Sequence, residues 1–323
     1  MRAAGYFFLF CAGAVNATLL NTTIILDDGE GFSVEMPRLA LGTWQYNATE
    51  VDEAVKNAFT AGFTHVDTAN DYNNQVAVGA AIRAYADSVD GKVFLTTKIP
   101  ACTVADADCK ATAAGYIAEN FDQLAMDSID LLLIHFPPTG GCSSAKLCDM
   151  VRQSWEAMED SAATGALRAV GVSNYCPSCL SCLDNSAFSD DAWAGRANAR
   201  KPVINQVQLH VGMGADPGTP GIVSTDDARG IATQAYSPLG DGTDELITGS
   251  LVTTIGAAHN KTGAQVSLQW LNQNGHPVVT KSTSLAHLHQ DNDLFDWMLT
   301  DEEMAQLSAA TSPTGAYSFR CTE

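Results

Sequence analysis

Asp67, Lys98 and His135 each stand at or near the end of a short apolar run, and Tyr72 follows Asp67 in the next loop. Together they make a coherent acid–base set. A tyrosine hydroxyl ordinarily gives up its proton near pH 10. An ammonium beside it favours the phenolate and lowers that value, so Lys98 is expected to bring Tyr72 down and Asp67 to hold Lys98 by an ion pair. His135 is expected to hydrogen-bond and orient a substrate oxygen. Such a set can protonate a carbonyl oxygen as it becomes an alcohol. Each residue alone also has an ordinary reading: a structural Asp67–Lys98 pair, a satisfied core histidine, a loop tyrosine. The combination is what points to chemistry.

Chemistry of this kind needs elements that bring distant residues to one place. Eight apolar runs recur along the chain: Leu39–Gly42, Thr64–Thr68, Val93–Lys98, Ile129–His135, Ala169–Ser173, Ile204–Leu209, Ile231–Tyr236 and Pro277–Lys281. Near-continuous apolar runs suit parallel strands covered on both faces. Helical patterns lie between them, such as Ala54, Val55, Ala58 and Phe59 on one face and Val151, Trp155 and Met158 on another. The expected fold is a single (β/α)8 barrel. An open doubly wound sheet is the alternative, but its Gly-rich fingerprint is absent where the first strand ends in Gly42-Thr43-Trp44. In a barrel the polar residues at the strand ends share one face. Here they include Asp67, Lys98, His135, Ser173, Asn174, Gln206, Tyr236, Ser237, Lys281 and Ser282.

The chain has 323 residues and a formal net charge of -20. That balance argues against nucleic acid as a partner. It also means that an anionic cofactor needs a local cation, for which Lys281 is the candidate. Residues 1–17 read as a secretory signal, with Arg2 ahead of the apolar stretch Tyr6 to Val15 and small residues Val15 and Ala17 before the expected cut. Residues 18–34 then form an N-terminal extension and residues 35–323 the barrel. No membrane span is expected in the mature chain. Sequons at Asn21, Asn47 and Asn260 allow glycosylation. Of the nine cysteines, Cys11 leaves with the signal and eight remain, an even number suited to disulfides in the ER lumen or outside the cell. Cys102 with Cys109, and Cys142 with Cys148, are expected as local staples. The run Cys176-Pro-Ser-Cys179-Leu-Ser-Cys182 also has the spacing of a metal or redox motif. Structural disulfides are favoured over that reading, and no metal site is expected.

Several segments resemble, in order, the motifs of the aldo-keto reductase family. They are Glu35 to Trp44, Gly62 to Tyr72, Phe94 to Lys98, Asp130 to Pro137, Gly171 to Tyr175, Asn205 to Gln208 and Ala235 to Leu239. The resemblance implies Asp67, Tyr72, Lys98 and His135 as catalytic residues and NADPH as cofactor. It implies a nicotinamide stacked on Tyr236, with its amide held by Ser173, Asn174 and Gln206. Gly42, Thr43, Ser237 and Leu239 would complete the cofactor cleft, with Lys281 and Ser282 at the adenosine phosphate. Trp44 and Phe136 would line the substrate pocket, and Thr314 to Phe319 would close it. Three positions depart from the pattern. His287 stands where NADPH-preferring members carry Arg, which leaves NADH open as an alternative. Gln290 and Asp291 replace a Glu-Asn pair, for which Asn292 is the nearest substitute.

The expected function is reduction of small aldehydes or ketones by a monomer. A nucleotide-binding barrel without turnover is the second reading. An unrelated barrel hydrolase is the third, and it lacks a strand-end carboxylate pair.

Overall fold

A computed structural model describes residues 22–29, 32–184, 199–218, 221–241 and 243–314. The signal segment, most of the tail and Asn21 lie outside the described residues. Among these residues no helix is long and apolar enough to cross a membrane.

The described residues form ten strands. β1 (Thr23–Asp27) and β2 (Ser33–Pro37) form an antiparallel hairpin. The other eight close a parallel barrel in the order β10-β3-β4-β5-β6-β7-β8-β9. They are β3 (Leu39–Gly42), β4 (His65–Asp67), β5 (Phe94–Ile99), β6 (Ile129–Ile134), β7 (Leu167–Ser173), β8 (Ile204–Gln208), β9 (Ala232–Tyr236) and β10 (Val278–Thr280). Every expected run supplies one of them. β5 and β6 are buried at every residue, as strands covered by helices outside and side chains inside must be. Gly171 lets β7 and β8 approach closely, because a Cβ there would lie 2.7 Å from the Ile204 carbonyl oxygen.

The helices are α1 (Ala48–Thr60), α2 (Gln75–Tyr85), α3 (Cys109–Leu124), α4 (Ala145–Ala163), α5 (Pro177–Ser181), α6 (Ile222–Arg229), α7 (Glu245–Thr248), α8 (Ser250–His259), α9 (Gly263–Gln273), α10 (Leu285–Asn292) and α11 (Asp301–Ser308). α1 shows how the sequence sets them. Asn47 and Glu50 make a reciprocal capping box at its start. Val51, Ala54, Val55, Ala58 and Phe59 then form one buried stripe against the barrel.

The hairpin was not legible in advance. Its Leu26, Val34 and Met36 pack with Phe94, Leu131, Leu133 and Ala169 and so cover the N-terminal mouth of the barrel. Burying a side chain of this size contributes roughly 1.5–3 kcal/mol. The hairpin therefore ties part of the expected extension to the barrel, and residue 35 falls inside β2.

The cysteines pair differently from the expectation. Cys102 joins Cys109, but Cys142 joins Cys179 and Cys148 joins Cys182. The expected Cys142–Cys148 staple does not form. Cys179 and Cys182 stand three residues apart at α5, a spacing that places both on one side of a helical turn. That side faces the loop after β6 and the first turn of α4, where Cys142 and Cys148 lie. Cys176 is disulfide-bonded as well.

Candidate active site

The strand ends after β4, β5 and β6 build one corner of a cavity of about 800 Å³ at the C-terminal face. Lys98, fully buried on β5, places its Nζ 2.6 Å from Asp67 Oδ1, 3.0 Å from the Thr68 carbonyl and 3.3 Å from the Tyr72 hydroxyl. Tyr72 ends a tight turn, Asn70–Tyr72, that Asn73 stops in a left-handed conformation at φ 57°. Asn74 ties this turn to the loop after β3 by donating to the carbonyls of Thr43 and Tyr46. The His135 ring meets Tyr72 edge-on with centroids 5.5 Å apart, and Phe136 stacks on its neighbouring side at 4.5 Å. The four expected residues are thus brought together.

The electrostatics correct one expectation. Burial dominates at Tyr72 and outweighs the opposing pull of Lys98, so the phenol is pushed up to about 12 rather than down. Burial also works against the Lys98 ammonium, but Asp67 and Tyr72 more than compensate and its pKa is raised. His135 is lowered, first by burial, although a bond to Asp71 opposes this. That bond, 2.9 Å from His135 Nδ1 to Asp71 Oδ1, was not anticipated. Burial works against the Asp71 carboxylate, but this bond and the nearby Lys98 charge together outweigh it and lower that carboxyl. The acceptor is therefore an anion, and His135 donates through Nδ1.

The ends of β7, β8 and β9 build the adjoining wall. Ser173 Oγ donates to the Gln206 carbonyl at 2.8 Å. Gln206 Nε2 donates to Asp67 Oδ2 at 2.7 Å and to Gln234 Oε1 at 2.8 Å, so both Asp67 oxygens are engaged. Asn174, in a left-handed conformation at φ 62°, donates to the His135 carbonyl and accepts from the Tyr236 hydroxyl at 2.8 Å. Gly42, Thr43, Ser173, Asn174, Gln206, Tyr236, Ser237, Leu239 and Lys281 all line the cavity, and Trp44 and Phe136 form its aromatic rim. The Tyr236 ring, flanked by amide and hydroxyl groups, fits the flat amide-bearing ring of a nicotinamide. Asp71, Asp241 and Ile247 also line the cavity and were missed. For Asp71 the signal was a carboxylate directly before the tyrosine.

The far end is sparser. Lys281 is exposed, 4.5 Å from the Tyr46 ring centroid and 5.9 Å from that of Trp44, with its Nζ 3.4 Å from Gln45 Oε1. Ser282 does not line the cavity, and its hydroxyl accepts from the Ser284 amide at 3.0 Å. Ser284 in turn caps α10, whose first turn exposes His287. Asp291 is turned inward onto Thr280 Oγ1 at 2.9 Å, and burial raises its carboxyl to about 6. Asn292 donates to the Ala61 carbonyl at 2.9 Å, so it does not stand in for an adenine contact as expected. One cation beside a helix N-terminus still fits a phosphate, though with fewer donors than a forked arginine would give.

The aldo/keto reductase family model matches residues 38–312. The chain belongs to that family. It is 33% identical over 286 residues to a morphine 6-dehydrogenase of Pseudomonas putida, covering 85% of this chain and 87% of that one. It is 32% identical over 277 residues to a 9,11-endoperoxide prostaglandin H2 reductase of Trypanosoma cruzi, covering 85% and 88%. The crystal structure of an aldo/keto reductase from Brucella melitensis superposes with a TM-score of 0.73 at 28% identity, covering 90% of this chain and 99% of that one. This aldo/keto reductase family member is accordingly an oxidoreductase that reduces carbonyl groups with a nicotinamide cofactor.

Proposed function

We propose that this reductase uses NADPH in preference to NADH, and that Tyr72 delivers the proton to an aldehyde or ketone oxygen. The convergence of Tyr72, Lys98, Asp67 and His135 on one corner of the cavity carries this reading. The reduced nicotinamide, when bound, supplies the hydride. Tyr236 would support its ring, Ser173, Asn174 and Gln206 its amide, and Lys281 its adenosine phosphate.

The chain's own part is the proton. Burial keeps the Tyr72 hydroxyl protonated at neutral pH. An alkoxide is a much stronger base than a phenolate, so the transfer runs downhill even from this raised value. The Lys98 ammonium at 3.3 Å stabilises the phenolate left behind, and that gain appears only as charge develops. Neutral His135 donates a hydrogen bond from Nδ1–H to Asp71 and leaves a bare Nε2, so it donates to a substrate oxygen only as imidazolium. At neutral pH Tyr72 is then the proton source and His135 shapes the space beside it. The rim of Trp44 and Phe136 supports an aromatic or otherwise apolar carbonyl compound as substrate.

The test is NADPH oxidation with a panel of aldehydes and ketones. Tyr72→Phe is expected to lower kcat by roughly 10²–10⁴-fold. Reduction should keep its rate past pH 9, where an ordinary tyrosine begins to ionise. Alcohol oxidation, which needs the phenolate, should rise with pH. A native protein inert across the panel, or a Phe variant with full turnover, removes the reading. We also propose entry into the secretory pathway, which the leader pattern and the disulfide-bonded cysteines support. Mass spectrometry finding only free thiols in the mature protein would contradict it.

A further inference from the structure

Asp71 lies between Asn70 and Tyr72, in the turn that carries the proposed proton donor. The turn is pinned on both sides. Asn70 Nδ2 donates to Asn120 Oδ1 at 3.0 Å, and Asn73 Nδ2 donates to the Asp71 carbonyl at 2.9 Å. The carboxylate is 44% exposed and lines the cavity together with Tyr72 and His135. It accepts from His135 Nδ1 at 2.9 Å.

The charges around it are uneven. The charged cavity lining consists of Asp67, Asp71 and Asp241 on one side of the balance and Lys281 on the other. Lys98 sits behind the wall and is committed to Asp67 at 2.6 Å. Lys281 stands on the rim by Tyr46 and Trp44. His135 is held neutral by burial and compensates no charge. Asp71 therefore presents an anion at the reacting corner, and among the described residues its ion-pair contact is this histidine.

We infer that Asp71 selects substrates by charge: the pocket takes neutral and cationic carbonyl compounds and turns away those with an anionic group beside the carbonyl. The inference rests on the proposed reductase reading, because a carbonyl oxygen at Tyr72 brings the substituents on its carbon close to Asp71. Like charges a few ångströms apart in a partly desolvated cleft repel enough to change affinity by about tenfold or more. The exposed faces of Trp44 and Phe136 add cation–π attraction for a positive substituent.

Three phenyl ketones that differ in one substituent test this: benzoylformate, its methyl ester, and phenacyltrimethylammonium. The quantity read is each compound's kcat/KM relative to the ester, so intrinsic reactivity cancels when variants are compared. Asp71→Asn is expected to raise the acid-to-ester ratio at least tenfold and to lower the cation-to-ester ratio severalfold. Asp71→Glu, which keeps the charge, is expected to keep the native ratios. Ratios that move less than twofold in the Asn variant, or that shift equally in the Glu variant, overturn the inference. A native enzyme that reduces none of the three counts against the proposed function instead. The charge rule is then read by titration calorimetry of benzoylformate. It should bind Asp71→Asn at least tenfold more tightly than the native protein, and equal binding overturns the rule.

Discussion

The rim of the barrel is built in two ways. After β4 to β7 it is buried and cross-linked. Asp67, Lys98, His135 and Asn174 are buried, and both Asp67 oxygens are engaged by fixed donors. The loops after β5, β6 and β7 also carry the disulfides Cys102–Cys109, Cys142–Cys179 and Cys148–Cys182. After β10 the rim is open. Lys281 is held by aromatic faces and a 3.4 Å contact, and His287 is exposed. Among the described residues, no disulfide joins this part of the rim. Proton transfer needs donors already aimed before charge develops, so it benefits from an over-determined corner. Phosphate binding tolerates a few flexible contacts, and its strength is then set by single residues.

The contrast predicts the largest effect at Lys98. Lys98→Met matches the side chain in bulk but leaves Asp67 buried without its cation. Breaking a buried pair in this way costs about 3–5 kcal/mol, a large part of the stability of an ordinary domain. Denaturant unfolding should register that loss, and carbonyl reduction should fall with it. A variant as stable as the native chain would show that the corner is ordered by something other than this pair.

The disulfides come next. Cys148 and Cys182 are 34 residues apart in sequence. Closing a loop of that size stabilises by about 3–4 kcal/mol in the chain-entropy model. The double change Cys148→Ser with Cys182→Ser should lower stability by up to that amount. Because this bond joins the elements behind Phe136 and Asn174, the KM for the carbonyl substrate should also rise. An unchanged midpoint of unfolding would mean that Cys142–Cys179 and the hydrogen bonds secure this half of the rim without it.

The same contrast explains what was legible in the sequence. Strands of a closed parallel barrel are apolar throughout, so all eight runs could be read directly, and the polar residues at nearly all of their ends marked the site. The hairpin escaped because its two short strands bury alternate residues against a barrel mouth that exists only after folding. Tyr72 and Lys98 were rightly placed as neighbours, but a sequence names neighbours without stating depth. Burial at that depth reversed the direction expected for the phenol. The cysteine pairing failed for a related reason. Cys142 and Cys148 are close in the chain, yet a capped helix start at Ser144 and the α5 turn bring other partners nearer. Asn292 was misjudged likewise, since only the packed structure shows its side chain tied to the Ala61 carbonyl.

At the open end, Lys281→Ala should raise the KM for NADPH about tenfold, the scale of one lost charge-assisted contact. Stability should change little, because the side chain is exposed. If NADPH affinity is untouched, Lys281 is not the phosphate's cation.

The smallest effect is the sharpest test of the difference between the two rims. His287 is exposed on the first turn of α10, where the helix dipole already favours an anion. His287→Arg would add a permanent, forked donor at a position that now carries an imidazole. An exposed contact of this kind is worth about 1 kcal/mol, so the KM for NADPH should fall by roughly fivefold. The KM for NADH should stay where it is, because NADH lacks the phosphate that the new guanidinium would hold. The gain should shrink as salt is added, since the group is open to solvent. If both Michaelis constants fell together, Arg at this position would be touching a part common to the two nucleotides. The open rim would then not be the element that distinguishes them.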